Sequence, residues 1–423
     1  MVDPDRLRAE FSQAMSAMYR AEVPLYGELV ALVEAINRRV LEADPSLAAS
    51  HGQDERARLD LERHGAIRVG TAAELGLLRR LFGVLGMVPV GYYDLAAAGV
   101  PVHSTAFRAT GPASLTRSPF RVFTSLLRLE LIADPALRRA AQEILARRRI
   151  VTPRAVALIE QHEREGGLDE RSASEFVREA LETFRWHAEA TVDAAAYGAL
   201  RQAHPLVADV VCFRGPHINH LTPRVLDIDA AQAAMLERGL PAKELIEGPP
   251  PRRCPVLLRQ TSFKALSEPV RFDGEAGIHT ARFGEIEQRG VALTEAGRIR
   301  YDTWLASNQS STINDLPDDH AALREQDLAF YRYRRVRRPD PHAGLQAAIA
   351  SGAVVAEPIL YEDFLPVSAA GIFRSNLGDG AGEAARPDPQ RPALEQALGC
   401  AILDEVALYR KQATASAAAA MAG

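Results

Sequence analysis

Cysteine is nearly missing from this chain. Cys212, Cys254 and Cys400 are the only three in 423 residues, and they share no close metal-ligand spacing. That excludes a disulfide framework and a thiolate metal knuckle, and it suits a reducing, cytoplasmic compartment. Long apolar runs are lacking as well. None reaches the ~18 residues of a membrane span, and acids stand where a signal peptide would have basic and apolar regions. There is no excess of positive charge: the formal net charge is −5 and the pI about 6.2, which argues against nucleic acid or an anionic membrane as partner. Tyr331-Arg-Tyr-Arg-Arg-Val-Arg-Arg338 does interleave aromatics with cations. Alone in an acidic chain it reads as a surface or subunit-contact strip, and oligomeric state is left open. Gly166-Gly167 and the Gly378 to Gly382 cluster lack the strand-to-helix context of a phosphate loop, and no Ser-His-Asp elbow is visible. What remains is ordinary globular composition, 47% hydrophobic and 25% charged, enough to bury a large core. The expectation is a soluble cytoplasmic protein that acts on a small molecule.

What is present is organised around Gly215-Pro-His-Ile-Asn-His-Leu-Thr-Pro-Arg224. Ala208 to Phe213 before it reads as an entering strand, and Asp227 caps a helix over Ile228 to Arg238 that stops at Gly239. The same pattern occurs earlier. His64 to Gly70 reads as a strand, Thr71 and Glu74 form a capping box, and Leu75, Leu78, Phe82 and Leu85 keep helical spacing up to Gly86. The chain is duplicated, with one histidine per copy. Strand candidates Val88 to Tyr93, Val102 to Ala109 and Phe120 to Leu127 complete a first β-α-β-β-β unit. In the second copy, Pro255 to Leu266 and Ile278 to Leu293 follow the stiff Gly248-Pro-Pro-Pro251 linker.

The expected fold is α+β, with paired β-α-β-β-β modules at 61–132 and 206–300. Helices at 1–60 lead in, a helical insertion fills 133–205, and an extension at 301–412 closes the site. Within the extension, a helix is expected near Ala321 to Tyr331 and a loop-rich return over Tyr361 to Leu377. Residues 413–423, small and Ala-rich, read as a disordered tail.

Side chains alternate along a strand, so His64, Ala66 and Arg68 share a face, with about 13 Å between the Cα atoms of His64 and Arg68. A substrate held by a metal at the histidine could reach the guanidinium, whose planar fork suits a distant carboxylate. His220 is the counterpart of His64, with His217 in reserve. A third ligand should be a carboxylate on a late strand. Glu285 and Glu287 lie on one strand face, and spacing does not choose between them. Two histidines and a carboxylate make the facial triad of non-haem Fe(II) oxygenases, with open positions for substrate and O2. His279 lies close to Glu285 and is a candidate for the surrounding shell.

Four stretches together resemble one bacterial family: His64-Gly-Ala-Ile-Arg68, Gly215 to Arg224, Arg282-Phe-Gly-Glu-Ile-Glu-Gln-Arg-Gly290, and Tyr361-Glu-Asp-Phe-Leu-Pro-Val-Ser-Ala-Ala-Gly371. They are similar to the 2-oxoadipate dioxygenase/decarboxylase family, a branch of the vicinal-oxygen-chelate superfamily. The resemblance spans nearly the whole chain. It implies Fe(II) on His64, His220 and Glu285, and substrate contacts on Arg68, Val367 and Ser368. It also implies the reaction of 2-oxoadipate with O2 to give D-2-hydroxyglutarate and CO2 in lysine breakdown. The alternatives weighed are an extradiol dioxygenase or glyoxalase-like isomerase on the same scaffold, and a non-catalytic metal-dependent binding protein.

Overall fold

The computed structural model describes residues 1–44, 58–307, 313–365 and 390–422. Val367, Ser368, the Gly378 to Gly382 cluster and most of the Tyr361 to Leu377 return lie outside these residues. Among the described residues no helix is long and apolar enough to cross a membrane. The fold is α+β.

The first module comprises β1 (Arg63–Val69), a helix over Ala72–Val84, β2 (Val88–Asp94), β3 (Val102–Arg108) and β4 (Arg121–Leu127). The helix starts where the capping box places it. Thr71 Oγ1 accepts from the Glu74 amide at 3.2 Å, and Glu74 reaches back to accept from the Gly70 amide at 2.8 Å. β1 runs parallel to β4, and β3 is antiparallel to β4 and to β2.

The second module comprises β5 (His220–Pro223), a helix over Ile228–Glu237, β6 (Leu258–Ser262) and β9 (Glu285–Arg289). Between β6 and β9 lies a hairpin of β7 (Ser267–Phe272) and β8 (Glu275–Thr280). The counterpart of β2 is reduced to ladder fragments, Ala242 opposite Phe263 and Glu247 opposite Gln260. β5 meets β9 in parallel through an Arg224–Glu287 bridge, as β1 meets β4, and β9 is antiparallel to β6. The duplication is thus topological.

The copies join where β1 and β5 pair antiparallel. His64 stands opposite Thr222, Gly65 opposite Leu221 and Ala66 opposite His220, so the exchange is symmetric about the Gly65–Leu221 pair. Each histidine lies within the first two residues of its module's first strand. Gly65 permits this closeness: a Cβ there would lie 2.4 Å from Ile218 Cδ1 and 3.2 Å from the His220 carbonyl. Gly65→Ala is expected to cost about 1–3 kcal/mol as overpacking, read by denaturant unfolding; an unchanged midpoint would show that β5 can step aside.

β1 divides two cores. Ile67 and Val69 join helices of the lead-in and insertion in one, and Ala66 on the opposite face joins the other with Phe123, Val256 and Phe364. His64 and Arg68 therefore face the second core, beside elements from the far end of the chain.

Three expectations are corrected. Ala208 to Phe213 is not a strand but the end of a helix over Pro205–Val211, capped by His204, whose Nδ1 accepts from the Leu206 amide at 3.1 Å. All seven residues bar Pro205 are buried, so neither strand nor helix periodicity shows in such a run. The helix expected near Ala321 to Tyr331 spans only His320–Glu325, and Asp327 with φ of 53° turns the chain out of it. Tyr331–Arg335 is instead β10, paired with β11 (Val354–Pro358), and Arg332 and Arg334 both donate to Glu357 at 2.8 and 2.9 Å. The tail is not disordered: a helix over Glu405–Met421 passes through it, started by Asp404 accepting from the Ala407 amide at 2.7 Å. Alanine has the strongest helix propensity, and Ser416 Oγ accepts from the Tyr333 amide at 3.0 Å, tying the helix to β10.

Under β1 and β9 lies a web of buried charge. Arg121, opposite His64 on β4, donates to Glu62 at 2.6 Å and to Glu362 at 2.5 Å. Arg58 donates to Glu362 at 2.6 Å and Arg224 to Glu62 at 3.1 Å. Arg108 forks onto Asp363 at 2.7 and 2.9 Å, and Tyr409 donates to the same carboxylate. Burial would raise the Glu362 pKa, but Arg58 and Arg121 hold it down to about 2. Such groups are tolerated inside only when mutually paired.

Candidate metal centre

β1, β5 and β9 place three donors in one buried pocket. His64 and His220 are 1% exposed and Glu285 is fully buried. One donor atom from each lies within 4.8 Å of the other two. His64 Nε2 is 3.1 Å and His220 Nε2 3.7 Å from Glu285 Oε1. Neighbouring corners of an octahedron with ~2.1 Å bonds are roughly 3 Å apart, so an ion fits with small shifts.

The strand pleat accounts for the grouping. On β5, His220 and Thr222 share a face, and Thr222 Oγ1 donates to Glu285 Oε1 at 3.0 Å. From β6, Gln260 Nε2 donates to the same oxygen at 2.9 Å. Neutral donors thus fix Glu285 without neutralising it. Phe364 packs on His64 and Phe283 on His220, with centroids 4.9 and 4.8 Å apart.

Among the described residues, several donor atoms here have no hydrogen-bond partner. Both ring nitrogens of His220 and Oε2 of Glu285 are buried and make no hydrogen bond. Buried polar atoms are seldom left so, and unclaimed lone pairs on an imidazole and a carboxylate, beside a second imidazole in contact with that carboxylate, suit a divalent cation. Burial pushes the His220 pKa down to about 4, so the ring is neutral at pH 7, the ligating form. Burial acts the same way on His64, but Glu287 and Glu285 on either side outweigh it and its pKa is raised. The residues present fit a metal ion.

Glu287 sits outside this group. Its carboxylate accepts from Arg289 in a fork at 2.8 and 2.8 Å, and Arg121 Nη1 lies 3.4 Å away. Burial would raise its pKa, but Arg289 and His64 hold it far below the usual carboxylate range. Spacing could not separate the two glutamates; their partners do.

Arg68 lies on the same face of β1, and its Nη1 donates to Asp209 Oδ2 at 2.9 Å. Asp209 Oδ1 contacts His279 Nε2 at 2.9 Å and His217 Nε2 at 3.4 Å, and Tyr197 Oη lies 2.9 Å from His279 Nδ1. His217 is therefore not in the metal group, and His279 belongs to the shell of Arg68 rather than that of Glu285. Burial drives the His217 pKa down to about 3. The charge of Arg68 is felt at His220, where it helps to lower the pKa.

Asp209, Thr222 and Gln260 did not emerge from the sequence. Thr222 could have, two residues beyond His220 on a strand. Asp209 was hidden by the mistaken strand, and Gln260 carries no signal of its own.

A family model described as 2-oxoadipate dioxygenase/decarboxylase matches residues 11–376. A protein of that name from Escherichia coli K12 is 56% identical, over 97% of this chain and 96% of its own. One from Mycobacterium tuberculosis H37Rv is 42% identical, over 96% and 95%. Among solved structures, the Pseudomonas putida hydroxyglutarate synthase in complex with 2-oxoadipate superposes with a TM-score of 0.91 at 53% identity, covering 99% of both chains. With that coverage at both ends, and a two-histidine, one-glutamate pocket at the junction of its modules, this chain belongs to the 2-oxoadipate dioxygenase/decarboxylase family.

Proposed function

We propose that the protein is an Fe(II)-dependent dioxygenase that converts 2-oxoadipate and O2 to D-2-hydroxyglutarate and CO2, as a cytoplasmic step of lysine catabolism. The observation that carries the reading is the buried His64, His220 and Glu285 set with its unclaimed lone pairs. The putida relative solved with 2-oxoadipate supports the substrate.

His64, His220 and Glu285 would hold the iron, which supplies chelation of the 2-oxo acid and activation of O2. The chain's own groups do the rest. Arg68, roughly 13 Å along β1 from His64, pairs with the far carboxylate and so sets the length of the diacid. Asp209 anchors Arg68, and the family resemblance adds Val367 and Ser368 as further substrate contacts. Phe364 and Phe283 wall the two imidazoles and exclude water, which strengthens every charge interaction inside. The balance requires no second organic substrate: the six-carbon diacid and O2 together hold the atoms of the five-carbon hydroxy diacid and CO2.

Protein loaded anaerobically with Fe(II), then given 2-oxoadipate and air, is expected to release one CO2 and one D-2-hydroxyglutarate per O2 consumed. No oxygen uptake by protein shown to retain iron would overturn the reading.

A further inference from the structure

We propose that Glu287 is a positioning residue that holds His64 by Nδ1 so that Nε2 faces the metal. The inference rests on the metal reading of His64, His220 and Glu285 and adds a role for a glutamate that the ligand set leaves out.

The two same-face glutamates of β9 stand at opposite edges of one imidazole. Nε2 of His64 is 3.1 Å from Glu285 Oε1, and Nδ1 is 3.0 Å from Glu287 Oε2. All three side chains are buried, and among the described residues Nδ1 makes no regular hydrogen bond, so the carboxylate of Glu287 is the polar group that stands against it, as a close contact at 3.0 Å. An imidazole bound to a metal by one nitrogen keeps its proton on the other, and a carboxylate beside that proton fixes the tautomer, the ring plane and the basicity of the ligand. Glu287 can serve in this way because it cannot rotate. Arg289 grips both its oxygens at 2.8 Å, and Arg289 in turn donates from Nη1 to the carbonyls of Tyr361 and Asp363 at 2.8 and 2.9 Å. Its backbone is fixed as well, since the Glu287 carbonyl accepts from the Val225 amide at 2.7 Å. The same arginine contacts keep Glu287 from ligating, so the two glutamates have separate tasks.

The duplication sharpens the point. Among the described residues neither ring nitrogen of His220 is hydrogen-bonded, and its carboxylate contact is Glu285 at 3.7 Å, against the 3.0 Å between His64 and Glu287. Orientation by a carboxylate is thus confined to one of the two histidines, and Glu287 sets the geometry of that half.

The test is metal affinity, read with Fe(II) and with Co(II) as an optical probe, in protein whose folding is checked by circular dichroism. Glu287→Gln is expected to weaken binding by about 10–100-fold, to alter the Co(II) visible spectrum, and to broaden or lose the downfield Nδ1–H proton signal of His64. Glu287→Asp, which keeps the charge, is expected to recover part of the affinity. Glu62→Gln removes a charge from the same buried web without touching His64, and is expected to lower stability and leave affinity and spectrum in place. If Glu287→Gln binds within about twofold of the parent with an unchanged spectrum, or if Glu62→Gln weakens binding equally, Glu287 is merely structural and the proposal fails. Should the parent itself bind neither ion, the metal reading fails first and takes this inference with it.

Discussion

His220→Ala protein, loaded anaerobically with Fe(II) and desalted, is expected to retain less than a tenth of the iron held by the parent, with turnover lost at least in proportion. Loss of a direct ligand should exceed the 10–100-fold effect of an outer partner, so roughly a thousandfold in affinity, about 4 kcal/mol, is the expected scale. The variant should fold. Among the described residues His220 makes no hydrogen bond from either ring nitrogen, so alanine strands none of their donors, and it removes an imidazole whose burial drives the pKa to about 4. The opposite expectation holds for His217→Ala. His217 contacts Asn219 at 3.1 Å and Asp209 at 3.4 Å rather than the ligand group, so that variant keeps its iron. Retention of full iron by His220→Ala, or its loss from His217→Ala, would move the centre to the other histidine.

Arg68→Ala is expected to lower kcat/KM for 2-oxoadipate by a hundredfold or more, and to change that for a monocarboxylate 2-oxo acid of the same length less than about threefold. Truncating one partner of a buried, hydrogen-bonded charge pair costs about 2–5 kcal/mol, and each 1.36 kcal/mol is tenfold in rate. The partner at issue is the distal carboxylate, which the monocarboxylate lacks. One complication is internal, because Asp209 also loses Arg68. It retains His279 at 2.9 Å and His217 at 3.4 Å, and Arg68→Ala combined with Asp209→Asn removes the stranded charge altogether. If both substrates suffer equally in the single and the double variant, Arg68 does not select the diacid.

The first module was legible in the sequence because its signals are local. Thr71 and Glu74 mark the helix start, and strands of ordinary length with turn residues between them follow. The second module was legible only in part. β5 is four residues long, the counterpart of β2 survives as two bridges, and a hairpin intervenes before β9. The helix over Pro205–Val211, packed on all sides, has no polar face to declare its period. Both candidate glutamates are fully buried on one strand, so what distinguishes them is long-range: Arg121 reaches Glu287 from β4, while Gln260 and Thr222 reach Glu285 from β6 and β5. Sequence spacing carries no information about which cation a fold will bring to a carboxylate. The resemblance chose Glu285 where the residues alone did not, and the geometry groups that residue with the two histidines.

The web that joins Arg58, Arg121 and Arg108 to Glu362 and Asp363 also has a consequence for synthesis, because its acids come late in the chain. When the ribosome has added Glu285, every proposed metal ligand exists and Arg121 already has Glu62, but Arg108 still lacks Asp363 and Arg121 its second acid, Glu362, which help to make their burial tolerable. At about 5–20 residues per second, several seconds pass before those acids are added. Until then the charges beneath β1 and β4 are only partly matched, so the metal pocket is expected to close late. On the proposed reading, a metal ion would be expected to enter a finished chain rather than a growing one.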